Sequence, residues 1–238
     1  MSVRRLRLRR IGVLVVTAIV AALLVYANPD MWQTVQPVVS PTPSPSITTT
    51  PQGDAAETLV RLETKGRAAK TGYARTQFGD GWARVQGCDM RNIILNRDLE
   101  TVVVGEDCKV LSGVLDDPYT GAKLAFVRGP STSDDVQIDH VVALSNAWQT
   151  GAQQLSFDQR VALANDPLEL LAVEGAANQQ KSDGDAATWL PAHKAFRCQY
   201  VARQISIKSK YSLWVTPPER DAMVRVLQTC PGQPLPAE

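Results

Sequence analysis

Histidine is nearly absent. The 238 residues contain only His140 and His193, so any imidazole chemistry rests on one of two positions. The four cysteines, Cys88, Cys108, Cys198 and Cys230, form no Cys-x-x-Cys pair, which argues against a zinc ribbon. No segment repeats. Only one long apolar run is present, at the N-terminus, and no cysteine follows it, so neither a polytopic membrane protein nor a lipid-anchored one is indicated. With 44% hydrophobic and 21% charged residues, the chain is neither wholly disordered nor collagen-like. A broad positive charge is also missing. Past Ala27 there are 20 basic against 24 acidic residues, and the excess of positive charge is confined to the stretch from 178 to the end. A chain of that balance is no tight, nonspecific nucleic-acid coat, although a local basic face can still meet a polyanion.

What is present begins with a compartment signal. Arg4, Arg5, Arg7, Arg9 and Arg10 precede the uncharged run Ile11 to Ala27. Residues 1–27 therefore read as an export signal peptide with a possible cleavage site at Val25-Tyr26-Ala27, or as an uncleaved anchor; either way everything after residue 28 is translocated. Residues 28–54 form a Pro/Ser/Thr-rich spacer that buries no core and spans on the order of 50 Å when extended. The folded domain is expected over 55–232, with a short tail at 233–238. In an oxidising compartment the cysteines read as disulfides. Three connectivities are open; the sequence-local one, Cys88 with Cys108 and Cys198 with Cys230, closes loops of 20 and 32 residues, worth roughly 3 kcal/mol each.

Leu59, Val60 and Leu62 suggest a helix from about Ala55 to Lys70, followed by mainly strand and loop. Short β-like runs fall at 101–104, 109–114 and 124–127, with a turn at Asp117 to Gly121. Two helices close the chain. One carries Phe196, Tyr200, Val201 and Ile205 on a single face, and the other opens at Thr216-Pro217-Pro218-Glu219. The densest chemistry lies in 134–185. Val136 to Leu144 alternates as a strand with Asp139 and His140 adjacent, and such neighbours point to opposite faces unless the strand ends or bulges there. Asn165-Asp166-Pro167 then turns into a second strand from Leu168 to Val173. Gly175 breaks it before a short helix bearing Asn178 and Lys181.

This order resembles the HNH endonucleases and their ββα-metal motif. More closely, Asp139-His140-Val141-Val142, Asn165, Asn178-x-x-Lys181-Ser182-Asp183 and Trp189-Leu190-Pro191 are similar to exported HNH-type proteins related to the C-terminal nuclease domain of GmrSD-type restriction enzymes. The resemblance implies an α+β fold with an HNH-like core, flanking helices and a strand-rich N-terminal extension. It implies an endonuclease that hydrolyses phosphodiester bonds, DNA ahead of RNA, with His140 as general base. Asp139 and Asn178 match metal ligands, and Asn165 matches the residue bracing the loop that carries the base. Lys181 reads, by its helical position, as a phosphate contact. Asn178 stands where many members have a second His, so the site is oxygen-rich and suits Mg²⁺, then Mn²⁺, ahead of Zn²⁺.

Blander readings stand beside these. Asp139 and His140 could be a structural pair, and Trp148, Trp189 and Trp214 fit core packing. His193 fits a surface or capping role. Lys194, Arg197, Arg203 and Lys208 are candidate phosphate contacts or a solvated helix face. The alternative to an enzyme is a cell-envelope binding module that keeps the fold without catalysis. No protein partner is implied, and membrane contact is expected only through an uncleaved N-terminus.

Overall fold

The computed structural model describes residues 54–236. The export segment, nearly all of the spacer and the last two residues lie outside the described residues. Among the described residues no helix is long and apolar enough to cross a membrane.

Helix α1, Asp54–Arg61, buries Ala55, Ala56 and Leu59. The expectation that it runs to Lys70 is not met. Beyond Leu62 the chain leaves the helix to bridge Val215, whose N–H donates to Glu63 O and whose carbonyl accepts from Lys65 N, each at 3.0 Å. A short hairpin of β1, Arg84–Val85, and β2, Cys88–Asp89, leads into α2, Met90–Asp98. The side chain of Asp89 caps α2 by accepting from Asn92 N at 2.9 Å. This helix was not anticipated, although Met90, Ile94 and Leu95 form its buried face. Strands β3, Leu99–Val104, β4, Val110–Asp116, and β5, Lys123–Val127, make the antiparallel meander that the three short runs suggest.

Strand β6, Val136–His140, pairs antiparallel with β7, Leu170–Glu174, with Asp139 opposite Leu171 and His140 opposite Leu170. Between them lie α3, Leu144–Gln149, and α4, Phe157–Ala164, the latter started by a capping box of Ser156 and Gln159. Helix α5, Gly175–Lys181, follows β7 directly. A side chain at Gly175 could not fit, because a Cβ there would lie 2.1 Å from Asp134 O. Helices α6, Arg197–Lys210, and α7, Pro217–Leu227, complete the fold. Thr216 and Glu219 form the expected capping box at α7, with Pro217 in its first turn.

The fold is α+β, and β6, β7 and α5 form its strand–strand–helix unit. The β6–β7 pair lies between two apolar clusters, as alternation along each strand dictates. Val136, Ile138, Leu170 and Ala172 pack with α2 and the meander. Leu171 and Val173 face the helical cluster of Leu144, Leu163, Tyr200 and Ile205. The free edge of β7 is covered by the end of α2: Asp98 accepts from Ala172 N at 2.8 Å, and Arg97 donates to Leu170 O at 2.8 Å. Cys88 bonds Cys108 and Cys198 bonds Cys230, which is the sequence-local pairing.

Lys208 requires a correction. The sequence suggests a phosphate contact or a solvated helix face, but its side chain is wholly buried. The ammonium donates to Asn146 Oδ1 at 3.2 Å and Trp214 O at 3.0 Å, and lies 2.8 Å from Glu219 Oε1. A long aliphatic stem reaching a buried carboxylate made this helix position part of the core.

Candidate active site

Strand β6 ends at His140, and Asp139 and His140 still leave it on opposite faces, as alternation dictates. Asp139 points toward α5 and α6. Its Oδ1 accepts from Lys181 Nζ at 2.9 Å and its Oδ2 from the Tyr119 hydroxyl. Lys181 Nζ also donates to His140 O at 2.7 Å. Burial pushes the Asp139 carboxyl above its ordinary pKa, and the Lys181 charge and the two hydrogen bonds oppose that push. Lys181 is therefore not placed as the sequence suggested. Its side chain is fully buried and its ammonium is held by Asp139 and the backbone, not turned toward a phosphate.

His140 leaves the strand in the other direction. Its Nε2 lies 3.0 Å from Ala164 O, at the end of α4. A carbonyl can only accept, so that nitrogen carries the proton and Nδ1 carries the lone pair, a tautomer assigned from the partner. The indole of Trp82 stacks parallel to the imidazole, with centroids 5.8 Å apart. Burial, with Arg75 nearby, pushes the His140 pKa down to about 3, so the free ring is neutral in ordinary buffers. Asn165 lies next to both neighbours of this ring in the chain's packing, adjoining Ala164 in sequence and Ala83, the residue after Trp82, by a hydrogen bond. It caps α4 just past Ala164, donating from Nδ2 to Val161 O at 2.9 Å, and its Oδ1 accepts from Ala83 N at 2.8 Å. The same amide thus ties the end of α4, next to Ala164, to the loop that carries Trp82.

Asp139, His140 and Asn178 open on one cleft of about 570 Å³. Asn178 donates from Nδ2 to Gln137 Oε1 at 2.8 Å, which turns its amide nitrogen toward the strand. Three cations line the cleft: Lys70, Arg75 and Arg91. Lys70 is paired with Asp183 at 3.2 Å, and Arg91 Nη2 donates to Ser133 O and Val136 O at 3.1 Å each. Arg75 makes no hydrogen bond or ion pair among the described residues. A smaller hollow of about 130 Å³ shares His140, Arg75 and Trp82 with the cleft.

Residues 90–226 match the family model for the C-terminal domain of GmrSD restriction endonucleases. The chain belongs to this family. It is also 35% identical over 197 residues to an uncharacterized secreted protein of Arthroderma benhamiae, covering 81% of this chain and 93% of that protein. No solved structure matches. The matched span of the GmrSD C-terminal domain begins at α2 and contains β6, β7 and α5, so it includes the whole ββα unit.

The other expected nucleic-acid contacts do not line the cleft. Arg203 donates to Leu168 O at 2.9 Å and Arg197 to Pro191 O at 2.7 Å, each bracing a loop. Lys194 is exposed and lines a separate hollow with Arg197. Sequence reasoning passed over Arg75, Trp82 and Arg91, which do line the cleft. The signal for Trp82 was an aromatic closing Gly79-Asp80-Gly81; nothing local marked the two arginines. It also passed over Glu169, a fully buried acid whose Oε2 accepts from Val142 N at 3.1 Å. A carboxylate inside the apolar run Leu168-Glu169-Leu170 was the visible sign.

HNH-type nucleases generally use a divalent metal. Among the described residues no three His, Cys, Asp or Glu side chains cluster as a metal site. The donors at hand are the Asp139 carboxylate and the Asn178 amide oxygen, on β6 and α5. Two oxygen ligands fit a hard, mostly hydrated ion such as Mg²⁺ or Mn²⁺ and do not fit a closed zinc site. The Lys181 charge beside Asp139 would weaken any such hold.

Proposed function

We propose that this protein is an exported, divalent-ion-dependent endonuclease acting on nucleic acid, DNA ahead of RNA. His140 carries the reading. A neutral imidazole at the cleft wall, with Nε2–H committed to Ala164 O, leaves Nδ1 to take a proton from the attacking water. A low pKa would make it a weak base alone, but a phosphate drawn beside it raises that pKa toward the working range. Asn165 keeps the ring oriented. Lys181 and Tyr119 hold Asp139 so that it and Asn178 can hold the ion. The ion, when bound, supplies charge stabilisation to the phosphate and leaving oxygens. Export is supported by the two disulfides, by the N-terminal apolar run and by the relative described as secreted.

The test is cleavage of supercoiled plasmid and of RNA in Mg²⁺ or Mn²⁺, beside an EDTA control and His140→Ala. Metal-dependent cutting that drops by about 10²–10⁴-fold in the variant is expected. One observation favours a second reading, a non-catalytic envelope binding module: both Asp139 oxygens are already hydrogen-bonded within the protein. Folded protein that cuts neither polymer with any divalent ion would support that module instead.

A further inference from the structure

Positive charge gathers late in this chain. Beyond Ala177 there are eight basic against five acidic residues, and most of the eight are engaged inside the fold. Lys181, Lys208 and Lys210 pair with Asp139, Glu219 and Asp166. Arg203 donates to Leu168 O and Arg220 to Leu59 O, each at 2.9 Å. Three remain, Lys194, Arg197 and Arg225. All three line one hollow of about 520 Å³, and none has a carboxylate within salt-bridge distance among the described residues.

Leu190, Ala222 and Val226 line the hollow beside these cations, and no acidic residue does, whereas the cleft carries Asp139 and Asp183. Asp221, one turn before Arg225 on α7, makes no ion pair among the described residues. The disulfide between Cys198 and Cys230 joins the start of α6 to the residues just past α7, so the elements bearing Arg197 and Arg225 are covalently tied. Like charges held together without a countercharge repel one another, and a polyanion relieves that repulsion. The hollow also adjoins the cleft. Asp183 lines the cleft and Ala186 the hollow, so their Cα atoms are at most about 11 Å apart, three steps of extended chain. That is about three base-pair steps of a duplex at 3.4 Å each.

We propose that this hollow is a second contact for duplex DNA, in which Lys194, Arg197 and Arg225 hold backbone phosphates flanking the one that lies beside His140. The inference rests on the nuclease reading, and it adds the surface that grips the flank of that enzyme's substrate. The three cations are positioning residues and touch no reacting atom. A chain that is net acidic beyond Ala27 then holds a duplex by one local patch instead of a broad positive face.

The experiment is fluorescence anisotropy of the full chain in EDTA, where no divalent ion supports cutting, with a labelled DNA duplex of about 20 base pairs over a salt series. The slope of log K against log salt should flatten by about 0.9 in Arg225→Gln, return in Arg225→Lys, and flatten by about 2.7 when Lys194, Arg197 and Arg225 are all replaced by Gln. Arg197→Gln also frees Pro191 O, so Arg225→Gln, which gives up no hydrogen bond among the described residues, is the deciding variant. Lys109→Gln makes the same charge change at an exposed lysine that lines neither space, and it should leave the slope as it is. No binding of the duplex, an unchanged slope in Arg225→Gln, or equal flattening in Lys109→Gln overturns the proposal. Binding with the expected slopes but no cutting in Mg²⁺ or Mn²⁺ would instead sink the nuclease reading, whereas cutting with an unchanged slope in Arg225→Gln would sink the second contact alone.

Discussion

Lys181 and Lys208 share one chemistry in two places. Each is a wholly buried ammonium beside one buried carboxylate, and each also donates to a backbone carbonyl. Lys208 joins α6 to α7 and to Asn146 of α3, away from the cleft. Lys181 joins α5 to β6, and its partner Asp139 opens on the cleft beside His140. A buried ion pair by itself therefore says nothing about function. What separates the two is whether the acid also faces a space that a substrate or an ion can enter.

That contrast can be broken or sharpened by substitution. Lys208→Met leaves Glu219 buried without its countercharge, and a loss of about 3–5 kcal/mol is expected in urea unfolding, with cutting per folded molecule unchanged. Lys181→Met should cost a similar amount, because Asp139 keeps the Tyr119 hydroxyl just as Glu219 keeps Thr216 N. Here, however, the cutting rate per folded molecule should also fall by about tenfold or more, since Asp139, the carboxylate proposed to hold the ion, is no longer fixed. Equal effects of the two variants on the cutting rate would erase the distinction.

Gly175→Ala tests the joint between β7 and α5 with no charge involved. The added methyl meets Asp134 O, so a loss of about 1–3 kcal/mol is expected by thermal unfolding, together with weaker cutting, because α5 carries Asn178.

The smallest effect concerns two buried glutamates. Glu219 has Lys208 at 2.8 Å, whereas Glu169 has no cation within salt-bridge distance among the described residues, and burial pushes its pKa well above the ordinary value. A raised acid contributes stability that is complete below its unfolded pKa, near 4.5, and is lost as pH rises through the folded value. Glu169→Gln should therefore change stability by less than about 1 kcal/mol at pH 5 and flatten the decline toward alkaline pH. A Glu169→Gln curve parallel to that of the natural protein would show that this carboxyl is not held neutral.

Much of this architecture was legible before any coordinates. The meander strands, the Thr216 cap, the cysteine pairing and the order of Asp139, Asn165 and Asn178 all rest on local patterns of turn, cap or spacing. The failures share a different cause. Helix α1 stops early because a segment some 150 positions away offers Val215 as a bridge, a non-local contact that no window reveals. Helix α2 was missed because its apolar face is short. Lys181 and Lys208 were read from helical position, which places the start of a side chain but not the end of a four-carbon stem. Arg75 and Arg91 reach the cleft only through tertiary packing, and no local pattern distinguishes them from solvated residues.

The most direct test of the account compares the initial rate of plasmid nicking in Mg²⁺ for the natural protein and for His140→Ala, at equal folded fraction. The account expects nicking that EDTA abolishes and that the variant reduces by at least about a hundredfold. Nicking by His140→Ala at the natural rate, or no nicking by the folded natural protein in any divalent ion, would contradict it.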